Sequence, residues 1–212
     1  MKFPLKPRGR LGGLIELAVI IALALSLAFA VQAWAVKPYQ IPSGSMEPTL
    51  DIGQRVLVNR FVYRFTNPQI GDIVVFHPPA SADQAGEECG VRVNGREPEE
   101  VGESCPKPSD HSSEQTFIKR IVALPGDTFS VKEGHPVVNG VEKRNEPYIT
   151  PCGSAPACNL AKTIRIPPGE YFMMGDNRGN SDDSRFWGPS PRSWIIGEAF
   201  ATYWPPDRVG LL

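Results

Sequence analysis

Apolar residues fall into one long block followed by many short runs. From Leu17 to Val36 only Ser26 and Gln32 interrupt the block. A helix from Leu14 to Val36, about 23 residues at ~1.5 Å each, reaches about 34 Å and predicts one transmembrane span over 14–36. Beyond residue 36 no segment sustains a 3.6-residue apolar period, so helices there should be few and short. The runs are instead of strand length: Arg55 to Asn59, Asp72 to Phe76, Phe117 to Ala123, Thr128 to Lys132, Thr163 to Ile166, Glu170 to Met174 and Glu198 to Trp204. Val137-Val138-Asn139-Gly140-Val141 predicts a hairpin, because Asn-Gly accepts the positive φ values of a type I′ turn. Lys37 to Pro42 reads as an extended lead-in, since Pro38 and Pro42 both disfavour helix. The pattern predicts a mainly β chain preceded by one N-terminal transmembrane helix.

Composition agrees, with 20 Gly and 22 Pro spread along 212 residues. A formal net charge of −1, without a basic stripe interleaved with aromatics, excludes nucleic acid as a partner class. Charge is nonetheless uneven. Lys2, Lys6, Arg8 and Arg10 all precede the first acid, Glu16, which predicts a cytoplasmic N-terminus over 1–13 and an extracytoplasmic remainder. Trp34 and Tyr39 stand where interfacial aromatics belong. The alternative is a cleaved secretory signal, for which Ala33-Trp34-Ala35 has the small-x-small form. Its apolar run is too long for that, and a cut there would fall a few residues before the candidate nucleophile.

Cysteine usage fits the outside placement. Cys152 and Cys158 share a Pro/Gly/Ala loop, while Cys89 and Cys105 bracket a polar one. Four cysteines allow three pairings, of which these local ones close the shortest loops, and neither has C-x-x-C spacing. Residues 78–115 carry Glu87, Glu88, Glu97, Glu99, Glu100 and Glu103, offer little to bury, and read as a solvated surface insertion.

Three clusters carry the candidate chemistry. Ile41-Pro42-Ser43-Gly44-Ser45-Met46-Glu47-Pro48-Thr49-Leu50 puts two hydroxyls on a proline-framed segment directly after the apolar block. A serine nucleophile needs a base, and His77, His111 and His135 stand in loop-like or strand-end settings with no triad motif. Lys119, in the run Phe117 to Ala123, is the better candidate. Strand alternation places Phe117, Lys119 and Ile121 on one face and Ile118, Arg120 and Val122 on the other, so the amine emerges between two large apolar side chains. An amine in water, with a pKa near 10.4, accepts no proton at neutral pH; desolvation lowers that value. The third cluster, Met174-Gly175-Asp176-Asn177-Arg178-Gly179-Asn180-Ser181-Asp182-Asp183-Ser184-Arg185-Phe186-Trp187-Gly188, follows a strand and is dense in turn formers. Its three Asp lack the EF-hand pattern and His partners, so no metal is assigned and no cofactor is implied.

These clusters, with Ile70-Gly71-Asp72-Ile73-Val74-Val75-Phe76 between the first two, closely resemble the bacterial type I signal peptidases (leader peptidases) in content and order. The resemblance implies a signal-peptidase-like β-rich catalytic core over 37–127 and 169–212, interrupted by the polar insertion 78–115, with a smaller β-extension over 128–168. It implies a membrane serine endopeptidase that removes signal peptides of preproteins at small-x-small sites outside the plasma membrane. Ser45 matches the nucleophile and Lys119 the general base. The Ser45 N–H and the Ser43 hydroxyl match the oxyanion hole. Ser181 matches the hydroxyl that orients the lysine, and Asp183 with Arg185 a supporting ion pair. Tyr39, Ile41, Leu50, Phe117 and Ile118 align with substrate-pocket positions, although alternation sets Ile118 opposite Lys119. Two rival readings share much of the pattern. One is a peptidase dedicated to a pilus or conjugation system; the other is a catalytically silent anchored β-domain serving as a scaffold, which should have lost one of Ser45, Lys119 or Ser181.

Overall fold

The computed structural model describes residues 10–83 and 89–212. Lys2, Lys6, Arg8, Glu87, Glu88 and the Trp34 side chain lie outside the described residues. The apolar block forms a 26-residue helix, α1 (Arg10–Ala35), that runs directly into strand β1 (Val36–Gln40). Its described large side chains Leu14, Leu17, Ile20, Leu23 and Leu27 are all exposed rather than packed against the rest of the protein. Among the described residues no helix is long and apolar enough to cross a membrane, so the expected span over 14–36 is not shown by the fold itself.

The remainder is mainly β. In chain order follow β2 (Arg55–Asn59), the single-turn helix α2 (Val62–Phe65), β3 (Ile73–Phe76), β4 (Phe117–Ala123), β5 (Thr128–Lys132), β6 (His135–Val138), β7 (Val141–Glu142), β8 (Ile164–Arg165), β9 (Glu170–Met174), α3 (Ser184–Trp187), β10 (Ser190–Pro191), β11 (Ile195–Trp204) and β12 (Gly210–Leu211). The larger sheet has eight strands in the order β1-β2-β11-β3-β4-β9-β10, with β12 on β11, and all its pairings are antiparallel. β3 shows why it holds together. Ile73 and Val75 pack with Ile41, Met46, Leu50, Val56 and Val58 on one face, while Val74 and Phe76 pack with Ile121, Tyr171, Met173 and Trp187 on the other. A strand with both faces covered reads as an unbroken apolar run, as Ile73-Val74-Val75-Phe76 does.

The smaller sheet, ordered β7-β6-β5-β8, lies within 128–168. Its hairpin turns at Asn139 (φ 52°) and Gly140 (φ 78°), the two positive-φ residues a type I′ turn requires. Phe129, Val131, Leu160 and Ile164 pack onto Val122, Phe172 and Met174 of β4 and β9, so the smaller sheet shares a core with the end of the larger one. Phe129 and Phe172 stack with ring centroids 4.0 Å apart.

The insertion between β3 and β4 departs from the expected solvated decoration. Ser104 and Cys105 are fully buried, the Cys105 N–H donates to Arg185 O (2.9 Å), and the Lys162 N–H donates to Gly102 O (3.0 Å). Gly188, at φ 88°, leaves no room for a side chain beside Pro108 and Cys105. The segment thus bridges α3 and the loop before β8. A local disulfide, Cys89–Cys105, and the buried Pro98 tie the segment down, while none of its described acids is buried.

Candidate active site

Ser45 sits in a single 3-10 turn, Gly44–Met46, closed by the Glu47 N–H donating to Gly44 O (3.2 Å). A turn this short gives the Ser45 N–H no acceptor of its own. Ile41, Met46 and Leu50 are fully buried and hold the turn from beneath. From above it is held by Asn177, whose backbone N–H donates to Ser45 O (3.0 Å) and whose Nδ2 donates to Gly44 O (3.0 Å). Gly175 permits this approach, because a Cβ there would stand 2.4 Å from Ser45 O and 2.2 Å from Ser181 Oγ.

Lys119 reaches the same point from β4. Its Nζ lies 2.8 Å from Ser45 Oγ, with Ser45 only 8 % and Lys119 4 % exposed. The amine also lies 5.3 Å from the centre of the Phe117 ring. Burial is the main influence on it and lowers its pKa from 10.5 to about 8; the Asp183 and Asp182 charges work the other way, and Arg185 assists the lowering. The Ser43 hydroxyl lies 3.5 Å from Ser45 Oγ, which puts two hydroxyls and one amine together.

A cavity of about 410 Å³ opens on this trio, lined by Ser43, Gly44, Ser45, residues 115–119, Asn180 and Asp182. A smaller one of about 60 Å³ adjoins it, lined by Tyr39, Ile41, Val75, Phe117 and Ile118 among others. The edge of β4 explains the opening. β3 pairs with Phe117–Arg120 on one side, but β9 joins the other side only from Arg120 onward, leaving the far edge of 117–119 unpaired along the cavity. The backbone edge itself forms the wall, so residues from both faces of β4 line the cavity.

A family model described as "Signal peptidase, peptidase S26" matches residues 14–204. A probable signal peptidase I of Synechocystis sp. is 37 % identical over 193 residues, covering 91 % of this chain and 84 % of its own. Signal peptidase I of Leptolyngbya laminosa is 34 % identical over 94 % of this chain and 84 % of its own. The chain belongs to the S26 signal peptidase family. Thylakoidal processing peptidase 1 of Arabidopsis thaliana is also 34 % identical over 91 % of this chain, which spans 48 % of that longer protein.

Around the amine of this S26 member the structure gathers charges that the sequence pattern only partly indicates. Asp183 accepts from Arg185 Nε (2.7 Å), from Arg185 Nη2 (2.9 Å) and from the Gly175 N–H (3.0 Å). Burial would raise the Asp183 carboxyl, but the Arg185 charge and hydrogen bonds outweigh it and hold the acid below its ordinary value. Asp176 forms a second pair, accepting from Arg120 Nε (2.9 Å) and Nη2 (2.7 Å) and from Thr49 Oγ1 (2.5 Å). Arg178, fully buried, donates to both carboxylate oxygens of Glu146, to Gly134 O and, through Nε, to Gly175 O. Asp176, Asn177, Arg178, Arg120 and Glu146 were not singled out by pattern. For Asp176, Asn177 and Arg178 the one signal is the density of side-chain donors and acceptors after β9; Arg120 and Glu146, on β4 and between β7 and β8, carry no such signal.

Three sequence expectations change. The Ser181 hydroxyl is buried, makes no hydrogen bond among the described residues, to Lys119 included, and lies against Gly175. Leu50 lines neither cavity, because it is fully buried under the turn, its N–H donating to Met46 O (3.0 Å). Ile118 lines both cavities despite alternation, for the edge reason given above. The sulfurs of Cys152 and Cys158 are bonded, and Arg185 Nη1 donates to Ala157 O within that loop (3.3 Å). His77 Nδ1 is 2.9 Å from Gln115 O, His135 Nδ1 is 3.1 Å from Glu146, and His111 is exposed.

Proposed function

We propose that this S26 member removes signal peptides from preproteins by a Ser45/Lys119 dyad at the outer face of a membrane. The observation that carries the reading is the 2.8 Å contact between a nearly dry amine and a hydroxyl. With a pKa of about 8, roughly one lysine in ten is neutral at pH 7, and that fraction takes the Ser45 proton as Oγ attacks the scissile carbonyl. The Ser45 N–H and the Ser43 hydroxyl stabilise the oxyanion. The proton then passes to the leaving amine. The acyl-enzyme that remains is hydrolysed by water, with Lys119 again the base.

The substrate adds as an extended strand to the unpaired edge of β4, giving main-chain hydrogen bonds and two alternate side chains directed into the cavities. The 60 Å³ cavity between Tyr39, Ile41 and Ile118 favours a small side chain, in keeping with small-x-small sites. Asp183–Arg185 supports the loop that seats Ser45. The core over 37–127 and 169–212 provides the dyad, and the 128–168 sheet buttresses it. Helix α1, with large apolar side chains exposed along its described length and preceded by the basic flank, anchors the chain with its N-terminus inside, raising the local concentration of substrate in the same bilayer.

Replacing Ser45 with Ala should abolish cleavage of a purified precursor in detergent while precursor binding persists. Unchanged turnover would overturn the dyad.

A further inference from the structure

A cavity of about 860 Å³ is lined by neither Ser45 nor Lys119. It lies between α2 and the start of β11, and its wall includes Arg60, Arg64, Arg192, His77, Phe61 and Trp194. We propose that this cavity holds the phosphate of an anionic phospholipid headgroup and thereby sets the height of the catalytic cleft above the bilayer. The inference rests on α1 being the anchor and adds a lipid class and a place for it.

Charge is the first reason. Three guanidinium groups and no carboxylate line the cavity, and among the described residues none of the three is ion-paired. Asp72 and Glu198 influence Tyr63, which lines the cavity, but both stand outside the lining. A guanidinium presents parallel N–H donors that match two oxygens of a phosphate.

The groups are also held in advance. Arg192 Nη2 donates to Tyr63 O (2.6 Å) and Thr66 O (2.9 Å), which leaves its other N–H groups for a ligand. The Arg64 guanidinium stacks 4.4 Å from the centre of the Phe61 ring. Asn59 Oδ1 accepts from the N–H groups of Phe61 (2.9 Å) and Val62 (3.1 Å), fixing the first turn of α2 to the end of β2.

Position names the ligand. The Arg60 N–H donates to Ala35 O (2.9 Å), so the cavity wall is tied to the last residue of α1, where an anchored chain leaves the bilayer. Phe65, 83 % exposed beside it, offers an apolar tip to the interface. On the far wall the His77 N–H donates to Trp194 O (3.0 Å) and the His77 ring meets Gln115 O, and Gln115 lines the catalytic cavity. One chain of contacts therefore joins the headgroup position to the cleft.

The test uses the full chain in detergent micelles offered equal amounts of phosphatidylglycerol and phosphatidylcholine, with retained lipid read by native mass spectrometry. Retention of phosphatidylglycerol should exceed that of phosphatidylcholine about fivefold or more. The double variant Arg60→Gln/Arg64→Gln, which keeps Arg192 on its carbonyls, should lose the preference while still cleaving a short soluble peptide at the wild-type rate. Equal retention of both lipids by the wild type, or an undiminished preference in the variant, overturns the site. Millimolar glycerophosphate that displaces the lipid completely would show a free-phosphate site and overturn the lipid. Co-sedimentation with phosphatidylcholine vesicles separates the two readings. A chain that stays in solution there refutes the anchor, whereas one that sediments but shows no lipid preference refutes the headgroup site alone.

Discussion

Lys119 and Arg120 are neighbours on β4, each largely removed from water, and the two sides of the strand treat their charges in opposite ways. On the Arg120 side Asp176 meets the guanidinium through two hydrogen bonds, Gly71 O accepts a third (2.8 Å), and the Tyr148 ring lies 4.0 Å from it. On the Lys119 side the amine meets one hydroxyl and an aromatic ring, with no carboxylate within 4 Å among the described residues. Burial is the leading influence on both groups and in both lowers the pKa; only Arg120 has a contact that overrides it. The difference teaches how one strand carries a structural cation and a base side by side: whether an acid touches the buried cation decides which is which.

The largest effect should come from converting one kind of residue into the other. Lys119→Arg puts a group that stays charged at every working pH where a proton acceptor is needed. Cleavage should fall by roughly 10⁴-fold or more, the scale seen when a dyad or triad member is removed. The check is a precursor-processing rate in detergent; residual activity within tenfold of wild type would mean that another base serves Ser45.

Next comes the reverse intervention, on the paired side. Asp176→Asn leaves Arg120 facing a neutral amide and should cost about 3–5 kcal/mol of stability, read as a lower urea midpoint. It should also slow cleavage. Asp176 sits between Gly175, which makes room for Ser45 O, and Asn177, which holds Ser45 O and Gly44 O. A variant with the stability of wild type would show that the pair matters less than its burial suggests.

This charged side is where reading the chain alone reaches least far. β4 and its inward lysine follow from alternation over Phe117 to Ala123, and the Asn139-Gly140 turn from its two residues, because both depend on neighbours in sequence. The pairs Arg120–Asp176 and Arg178–Glu146 join residues 56 and 32 positions apart, and no local periodicity marks them. Ile118 was set opposite Lys119 by alternation, and only the missing partner strand along 117–119 shows why both face one cavity. The insertion reads as polar because its acids outnumber its anchors; yet a single buried residue, Cys105, ties it to Arg185 O.

A third change makes the dry side comfortable. Lys119→Met removes an amine whose pKa is about 8 folded and 10.5 unfolded, at the cost of activity. Below pH 8 both states carry the proton, so wild type bears the whole penalty of burying it. Between pH 8 and 10.5 the unfolded state holds a proton that the folded state has lost, so wild-type stability rises with pH; above 10.5 the penalty is gone. Lys119→Met should therefore be more stable than wild type by about 2–3 kcal/mol at pH 7, and the advantage should shrink to nothing by about pH 10.5. A pH-independent difference, or a loss at pH 7, would mean the amine is not desolvated.

The smallest effect probes whether the two sides are independent. The Cys152–Cys158 loop touches the charged network, since Arg185 Nη1 donates to Ala157 O and the Cys152 carbonyl packs against Gly179. Neither sulfur contacts Lys119. Replacing both cysteines with Ser removes a short-loop constraint worth about 2 kcal/mol by the chain-entropy estimate. The rate of cleavage should still rise tenfold per pH unit below about 8 and level above it, as the neutral fraction of Lys119 dictates. Thermal unfolding and a pH–rate profile on the same variant separate the outcomes. Lower stability with an unmoved inflection means that the charge-locked side steadies the loop without tuning the base. An inflection displaced by a unit or more would show that the dryness of Lys119 is itself maintained by the ion pairs around Arg185, and that the two sides of β4 are one device.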